Sequence, residues 1–187
     1  MAQKRKDWNG LISGFKASDL VFLDESGCNT DMTRRYAYSL GGSNAVDSAP
    51  LSKPKNTTIL SSIQLDGTLR YTTFSGGTTV ERFKRYLETD LLPHLNGNSV
   101  LIMDNMKSHH ARAVRNLLDS SEVRCIYLPP YSPDLNPIEK LWSKVKSFLR
   151  KFKARTLDAL PNAIQNAFHS VTVSDCSGWF RFCGYAL

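Results

Sequence analysis

The first part of the chain carries short apolar runs bounded by polar and turn-forming residues, a pattern that predicts strands. Residues 20–23 form one buried run, and residues 34–40 form a second predicted strand that ends at a pair of glycines. Residues 57–65 and 68–74 flank Asp66-Gly67, a dipeptide that strongly favours a two-residue hairpin turn. This region therefore predicts strands joined as a meander.

The rest of the chain alternates strands with helices. Apolar residues recur at helical spacing in four segments, which predicts helices over residues 79–92, 110–118, 137–153 and 156–169. Two apolar runs between them, residues 99–103 and 123–128, predict further strands, and a short aromatic tail is expected after the last helix. This order indicates an α/β fold, a mixed five-stranded sheet flanked by helices. We expect the first strand and the strand over residues 99–103 to be parallel neighbours.

Length and composition are those of a folded domain with a core. The chain has 187 residues, of which 41% are hydrophobic, enough to bury a core in one domain. We expect residues 1–18, which are polar and basic, to form a lead-in helix or arm, and residues 19–187 to form the domain. The formal net charge of +7 favours a polyanionic partner such as nucleic acid.

Cysteine usage and the lack of long apolar runs bear on the cellular compartment. The four cysteines include no C-x-x-C pair, which argues against a zinc ribbon. We expect them to be reduced thiols that act as small buried hydrophobes. Neither a signal peptide nor a membrane-spanning run is recognisable in the sequence. These features together predict a cytoplasmic protein without a membrane partner.

Two aspartates share one context, because Asp24 and Asp104 each directly follow an apolar run. If those strands are parallel neighbours, the two carboxylates meet at the same edge of the sheet. Glu139, close to the start of a predicted helix, is the candidate third carboxylate. Magnesium prefers oxygen ligands and keeps several waters, so two or three carboxylates suffice to bind it.

Each of these residues also has a purely structural interpretation. An aspartate after a strand is often a turn former or a helix cap. Glu139 lies three residues after Asn136, a good N-cap that is followed by Pro137 at the first helical position, so Glu139 occupies the capping-box position. His109 and His110 are expected at the surface. The residues by themselves therefore leave metal-dependent phosphoryl chemistry and local structural roles both open.

Three segments that contain these carboxylates resemble the catalytic blocks of a known family. Residues 21–27 (VFLDESG) resemble the first block of bacterial insertion-sequence transposases in the Tc/mariner superfamily, and residues 101–105 (LIMDN), with a histidine shortly after, resemble the second. Residues 127–139 (YLPPYSPDLNPIE) resemble the third block, which is long and highly specific. The 34 residues between Asp104 and Glu139 are the spacing typical of one large branch of that superfamily. The resemblance covers nearly the whole chain.

The resemblance implies a ribonuclease-H-like fold and a catalytic triad of Asp24, Asp104 and Glu139 that holds two Mg²⁺ ions, for which Mn²⁺ can substitute. It implies DNA cleavage at transposon ends and strand transfer of those ends into target DNA at the same site. Glu25 and Asp134 are neighbouring carboxylates that rank lower, Glu25 because strand alternation turns it away from the Asp24 face. The rival hypotheses are a hydrolytic nuclease on the same fold and an inactive DNA-binding relic of a transposase.

The partner that the resemblance implies is double-stranded DNA, bound by an oligomer in a bacterial cytoplasm, at the nucleoid. Basic residues follow Glu139 along the predicted helix and suit a phosphate backbone near the metal ions. They are Lys140, Lys144, Lys146 and Arg150. The alternative is that they are solvated charges on an exposed helix face. Only 23 residues precede Asp24, too few for the helix-turn-helix units of such transposases. We expect a helix-turn-helix partner or an upstream half encoded in a second reading frame, and a truncated or frameshifted relic is the equal alternative.

Overall fold

The computed structural model describes residues 2–34, 36–51 and 54–185, which form a mixed five-stranded sheet with helices on both faces. The strands are β1 (Leu20–Cys28), β2 (Thr57–Gln64), β3 (Leu69–Ser75), β4 (Val100–Met103) and β5 (Arg124–Tyr127). The helices are α1 (Ala2–Ile12), α2 (Val80–Tyr86), α3 (Arg112–Ser120), α4 (Ile138–Phe152), α5 (Ala159–His169) and α6 (Val173–Phe182). A wide helical turn over Leu87–Leu91 continues α2. The predicted α/β architecture is confirmed.

The strand order across the sheet is β3-β2-β1-β4-β5, which places β1 at the centre. On one side β1 pairs antiparallel with β2, and a tight turn at Asp66-Gly67 joins β2 to β3 as the predicted hairpin. On the other side β1 pairs parallel with β4, as expected, and β4 pairs parallel with β5. Gly67 has a φ of 88°, a conformation that glycine adopts without steric cost.

Alternate residues of β1 face opposite sides of the sheet and enter two separate cores. On one face, Phe22 packs with Trp8 of α1 and with apolar residues of α4, α5 and α6. The ring of Phe22 meets the ring of Phe180 edge-on, with 5.4 Å between the centroids. On the other face, Val21 and Leu23 pack with α2 and α3. Because both faces are covered, the strand begins as the continuous apolar run that is visible in the sequence.

The strand predicted over residues 34–40 is wrong for the part of that segment that the structure describes. Residue 34 and residues 36–40 have no regular structure, and the side chain of Tyr38 is fully exposed. Instead, β1 runs on to Cys28 and pairs with β2 along its length. The pairing positions beside β1 are thus taken by β2 and β4, and a segment without a partner strand leaves its backbone groups to water.

The C-terminal segment, predicted as a short aromatic tail, forms α6, so that prediction is wrong for its described part. The hydroxyl of Thr172 accepts a hydrogen bond from the amide of Asp175 (3.1 Å), and the Asp175 carboxylate accepts one from the amide of Thr172 (2.8 Å). This reciprocal pair is a capping box. Cys176 and Phe180 then bury one face of the helix, which attaches the segment to the core.

The N-terminal segment joins the same core. Trp8 of α1 is 4% exposed and packs among the residues of α4, α5 and α6, so the lead-in is helical and attached to the sheet.

All four cysteines are free thiols and three of them are buried. No helix in the described ranges is long and apolar enough to cross a membrane.

Candidate active site

A cavity of about 450 Å³ opens at the carboxyl ends of β1 and β4. Asp24, Asp104 and Glu139 line it, together with the loop that leads from β5 towards α4. The fold therefore brings three carboxylates that are far apart in the sequence to one place. Glu25 and Asp134, the neighbouring carboxylates that ranked lower, do not line this cavity in the described structure.

Strand register explains why the two aspartates meet. Leu23 of β1 lies opposite Met103 of β4, so the next residues along the two strands, Asp24 and Asp104, are neighbours at the point where β4 ends. Beyond this point β1 continues as the partner of β2, with Asp24 opposite Ser61. The carboxyl ends of parallel strands are a common location for a site.

Packing of α4 against β1 brings the third carboxylate to this edge. Ile138, Leu141 and Trp142 are buried on one side of α4, whereas Glu139 is exposed. The indole Nε1 of Trp142 donates a hydrogen bond to Oδ2 of Asp24 (3.1 Å), which ties the first turns of the helix to the end of the apolar run in β1. Glu139, three residues before this tryptophan, is thereby held at the rim of the cavity.

Asp24 is the most buried of the three carboxylates, with 9% of the residue exposed. Burial raises the pKa of its carboxyl to about 7, and repulsion by Glu139 and Asp104 adds to the shift. Hydrogen bonds from the amide of Glu25 (2.8 Å) and from Trp142 act in the opposite direction. The charge of Asp24 is therefore costly unless a cation offsets it.

Asp104 lies at the same edge in a different environment, because its side chain is 42% exposed. Burial still opposes its charge, but the close contact of Oδ1 with Nδ1 of His109 (3.0 Å) and the hydrogen bond that Oδ1 accepts from the amide of Met106 (3.0 Å) outweigh that effect. The pKa of the Asp104 carboxyl is therefore held below its ordinary value. Equivalent strand positions carry one aspartate that resists ionisation and one that favours it.

The first turn of α4 does not use Asn136 or Glu139 as capping side chains, so the capping-box hypothesis is wrong. The helix begins at Ile138, and no side-chain cap bond is present in the described structure of this turn. The carbonyl of Asn136 accepts the amide of Glu139 (3.1 Å). The Asn136 side chain lines the cavity, and its buried Oδ1 has no hydrogen-bond partner among the described residues. A buried amide oxygen without a partner is costly, which makes it available to a bound group.

His109, which was expected at the surface, is completely buried. Its ring stacks on Phe83 with 4.3 Å between the centroids. Nδ1 contacts Oδ1 of Asp104, and Nε2 lies 3.3 Å from Oε2 of Glu25. Burial lowers the pKa of His109, but the two carboxylates outweigh burial and raise that pKa to about 9. Glu25 thus faces His109, whereas Asp24, the preceding residue on β1, faces the indole of Trp142 in α4.

The basic residues predicted to bind nucleic acid lie on two sides of α4. Lys140 and Lys144 line a groove of about 520 Å³ between α4 and α6, which Trp179 also lines. Lys144 forms an ion pair with Asp175 (2.5 Å), and the ammonium of Lys140 lies 3.8 Å from the centroid of the Phe182 ring. Both lysines therefore rest on α6 while their charges border an open groove.

Lys146 and Arg150 face away from this groove and do not line it in the described structure. At roughly 100° of rotation per residue, they project from the same side of α4 as Glu139. The charge of Lys146 reaches the end of β1, where burial raises the pKa of the Cys28 thiol to about 11 and Lys146 counteracts that shift. One helix therefore presents cationic side chains on two adjoining surfaces.

The donor set fits a divalent cation in its chemistry. The three carboxylates and the amide oxygen of Asn136 are oxygen donors, which Mg²⁺ and Mn²⁺ prefer. The repulsion that Asp24 experiences is also what a cation would relieve. Within residues 2–34, 36–51 and 54–185, no three His, Cys, Asp or Glu side chains form a group that could hold a metal ion as they stand. A cation would therefore have to draw the carboxylates together, and the half-exposed Asp104 and the exposed Glu139 leave room for that movement.

Known proteins share both sequence and fold with this chain. Residues 19–161 match the model of a family described as DDE superfamily endonuclease. The transposable element Tc1 transposase of Caenorhabditis elegans is 30% identical over 97 residues. That match covers 50% of this chain and 36% of the relative, so the chain spans well under half of the Tc1 protein.

Solved structures extend the likeness to nearly the whole chain. The pre-cleavage Mos1 transpososome aligns with a TM-score of 0.81 and 19% identity, over 97% of this chain and 58% of that one. The Mos1 mariner paired-end complex with Mn aligns with a TM-score of 0.79 and 21% identity, over 95% and 57%. The catalytic domain of Mos1 mariner transposase aligns with a TM-score of 0.72 and 17% identity, over 96% and 85%. These likenesses confirm the predicted ribonuclease-H-like fold.

Proposed function

The chain belongs to the DDE superfamily endonuclease family, and we propose that it acts as the catalytic domain of a transposase. In this proposal it cleaves DNA at transposon ends and joins those ends to target DNA by metal-dependent phosphoryl transfer. The observation that carries the proposal is that one cavity is lined by Asp24 of β1, Asp104 directly after β4 and Glu139 of α4. The likeness to Tc1 transposase and to the Mos1 catalytic domain supports it.

In the proposal, Asp24, Asp104 and Glu139 would hold two Mg²⁺ ions, for which Mn²⁺ can substitute. The ions would supply an activated water or DNA 3′-hydroxyl and offset the charge on the leaving oxygen of an in-line displacement. Mos1 structures are described with Mg and with Mn, which supports the choice of metals. Oδ1 of Asn136, which has no hydrogen-bond partner among the described residues, would be a further oxygen acceptor in the cavity.

Asp24 has to release its proton before it can act as a ligand. Trp142 and the amide of Glu25 each donate to one of its carboxylate oxygens, and every such oxygen keeps a second lone pair. The two donors fix the direction of the carboxylate without blocking it. They also favour its charged form, which counteracts the effect of burial.

We propose that duplex DNA lies along α4, with its phosphates beside the cationic side chains of that helix. Lys140 and Lys144 border the groove towards α6, and Lys146 and Arg150 lie on the adjoining surface. Lys140 directly follows Glu139, so a backbone held in the groove leads to the cavity. Phosphate contacts give affinity and position but read no sequence.

The remaining parts of the proposal concern assembly and origin. Mos1 is described in a pre-cleavage transpososome, in paired-end complexes and in a strand transfer complex, which supports an oligomer on DNA for this chain as well. In this proposal the lysines of α4 contact DNA phosphates, which carry no sequence information. Recognition of transposon ends is therefore assigned to a helix-turn-helix partner or an upstream half. The chain is proposed to come from a bacterial insertion sequence and to act in the cytoplasm at the nucleoid.

A nicking and strand-joining assay tests the proposal. The chain is incubated with supercoiled plasmid and a short duplex that carries a free 3′-hydroxyl, in Mg²⁺ or Mn²⁺. Asp104→Asn and Glu139→Gln remove a charge with little change in volume and are expected to abolish both nicking and joining. Asp134→Asn is the matched control, because this carboxylate pairs with Arg5 at the surface and lies outside the cavity lining, so activity should persist.

The outcomes separate the proposal from its rivals. Nicking without joining would indicate a hydrolytic nuclease on the same fold, and DNA binding without any cleavage in either metal would indicate an inactive relic. Retained nicking in Asp104→Asn or Glu139→Gln would mean that the wrong carboxylates have been assigned. Loss of activity through unfolding of Glu139→Gln, detected by circular dichroism, would point to a structural role for that residue.

A further inference from the structure

A buried histidine that the proposed metal ligation does not use lies between Asp104, a proposed ligand, and Glu25, a carboxylate outside the cavity lining. Nδ1 of His109 lies 3.0 Å from Oδ1 of Asp104, and Nε2 lies 3.3 Å from Oε2 of Glu25. Glu25 is the residue next to Asp24 on β1. The histidine therefore links the two strands that carry the aspartates, through one carboxylate on each strand.

The imidazole ring of His109 is held in one orientation. None of the residue is exposed, and Phe83 stacks on the ring with an interplanar angle of 25°. The backbone is fixed as well, because the amide of His109 donates to the carbonyl of Met106 (3.0 Å) and its carbonyl accepts the hydroxyl of Tyr127 (3.3 Å). A ring packed in this way cannot reorient without a change in its surroundings.

The position of His109 suits it to orient a ligand rather than to be one. Both ring nitrogens face carboxylate oxygens, and the residue does not line the cavity in the described structure. Oδ1 of Asp104 accepts a hydrogen bond from the amide of Met106 and lies 3.0 Å from Nδ1 of His109, which also lies 3.2 Å from the carbonyl oxygen of Asp104. Within the described part of the chain, Oδ2 of Asp104 receives none, so one oxygen is anchored and the other is available.

We propose that His109 is a positioning residue for the catalytic centre, which anchors Oδ1 of Asp104 so that Oδ2 is presented to a divalent cation, while Glu25 holds the far side of the ring. The inference rests on the proposed function, because it requires Asp104 to be a metal ligand. Hydrogen-bond partners of metal ligands typically contribute about 10–100-fold to metal affinity. If His109 had only a packing role, the metal affinity would not depend on which of its two ring nitrogens a substitution replaces.

Two substitutions separate the two contacts. The amide nitrogen of asparagine lies about where Nδ1 lies in histidine, whereas the amide nitrogen of glutamine reaches the position of Nε2. His109→Asn therefore keeps a donor towards Asp104 and loses the contact with Glu25, and His109→Gln does the reverse. Both remove the ring from its stack on Phe83, and asparagine, which is one methylene shorter than glutamine, leaves the larger void.

The measurement is Mn²⁺ binding by the whole chain, counted from the electron paramagnetic resonance signal of free Mn²⁺ and hence independent of activity. We expect His109→Gln to weaken binding by at least about tenfold and His109→Asn by less than about threefold. Thermal unfolding of both variants reports whether they are folded. Equal Mn²⁺ affinities in the two folded variants would overturn the inference.

Asp104→Asn distinguishes a failure of this inference from a failure of the proposed function. If the unsubstituted chain binds no Mn²⁺, or if Asp104→Asn leaves binding unchanged, both fall. If Asp104→Asn weakens binding but the two histidine variants bind alike, the inference alone falls. Should His109→Gln not fold, Glu25→Gln keeps the side-chain volume and weakens the charge-assisted bond to the ring. That variant is expected to lower the Mn²⁺ affinity several-fold, and an unchanged affinity would contradict the inference.

Discussion

Asp24 and Asp104 occupy equivalent positions on neighbouring parallel strands, yet their surroundings act on them in opposite directions. Asp24 is buried against α4, and the pKa of its carboxyl is raised to about 7. Asp104 is more open, is bonded to His109, and has a lowered pKa. The strand position decides where each carboxylate lies, whereas the neighbouring helices and loops decide whether it carries a charge.

The difference has a consequence for an approaching divalent cation. In the proposed function, Asp104 would meet a cation in the ionised form that its surroundings favour, and the cation would lower the cost of ionising Asp24. Three ionised carboxylates around an otherwise empty cavity would repel one another and destabilise the fold. A carboxyl that keeps its proton until a cation is present lowers that cost.

The largest expected effect concerns the pH dependence of stability. Because the pKa of Asp24 is about 7 in the folded chain, against 3.8 ordinarily, its contribution to stability is present at low pH and is lost as the pH rises from about 4 to 7. Asp24→Asn removes this loss and should raise the free energy of unfolding at pH 7.5 by up to about 4 kcal/mol. Urea unfolding at several pH values measures the change.

Urea unfolding of Asp104→Asn at several pH values should give a change in the free energy of unfolding of the opposite sign. The lowered pKa of Asp104 contributes stability above its ordinary pKa, and that stability is lost as the pH falls through its folded value. Asp104→Asn should therefore destabilise the chain at neutral pH, whereas Asp119→Asn, an exposed site on α3, serves as the control. Identical pH responses for the variants at residues 24 and 104 would refute the contrast between the two aspartates.

A second effect, somewhat smaller, is stabilisation by metal ions. Saturation at about one hundred times the dissociation constant should add about 2.7 kcal/mol to the free energy of unfolding. Thermal unfolding with MgCl₂ or MnCl₂, reversed by a chelator, measures this gain. Asp24→Asn and Asp104→Asn should each lose most of it, and a full gain in either variant would remove that aspartate from the ligand set.

Trp142→Phe tests the link between Asp24 and α4. The substitution removes the indole donor from the carboxylate and keeps most of the aromatic volume, so it should cost about 1–2 kcal/mol. Loss of the donor also raises the pKa of Asp24 further. The nicking rate should therefore begin to increase at a higher pH than in the unsubstituted chain. Trp179→Phe, in the groove beside α6, is the control. A pH profile that stays unchanged in Trp142→Phe would show that the indole does not tune Asp24.

The smallest effect concerns DNA binding along α4. Lys140→Ala and Lys146→Ala should each weaken binding to unrelated duplexes by a similar factor and reduce the slope of log affinity against log salt by about 1. Lys84→Ala on α2, which removes an exposed lysine paired with Glu88, is the control for general charge. Fluorescence anisotropy at several salt concentrations measures the slopes. A preference of more than about tenfold, roughly 1.4 kcal/mol, for one duplex would show that this domain reads sequence by itself.

Local patterns were sufficient where the signal lies within a few residues. The hairpin at Asp66-Gly67 follows from turn chemistry, and the apolar run at the start of β1 follows from burial on both faces. The placement of Asp24 and Asp104 after such runs was enough to predict that they meet, once the strands were taken as parallel neighbours. The long helix after Pro137 likewise follows from helical spacing of apolar residues.

Local patterns were misleading where the deciding partners are remote. An extended segment such as residues 36–40 has the same local appearance whether or not a partner strand exists, and here the places beside β1 are already filled. His109 has no apolar neighbours in sequence that signal burial, because its environment comes from Phe83 and Glu25. Its position five residues after Asp104 was the available hint, since that distance allows a turn to fold back so that the ring meets both the carbonyl and the carboxylate of Asp104.

The sequence by itself determined the class of fold and the order of most elements, because periodicity and turn chemistry act between residues a few positions apart. The triad of Asp24, Asp104 and Glu139 was predicted from the resemblance of three segments to the catalytic blocks of transposases, since local pattern left structural roles open for each of them. The tertiary structure alone decided that Asp24 is the costly charge, that Asp104 is the favoured one, and that a buried histidine connects Asp104 to β1. Those properties depend on burial, on the stacking of Phe83 from α2, and on polar contacts from α4 and the loop after β4. Both are set by contacts between distant parts of the chain, which no local pattern encodes.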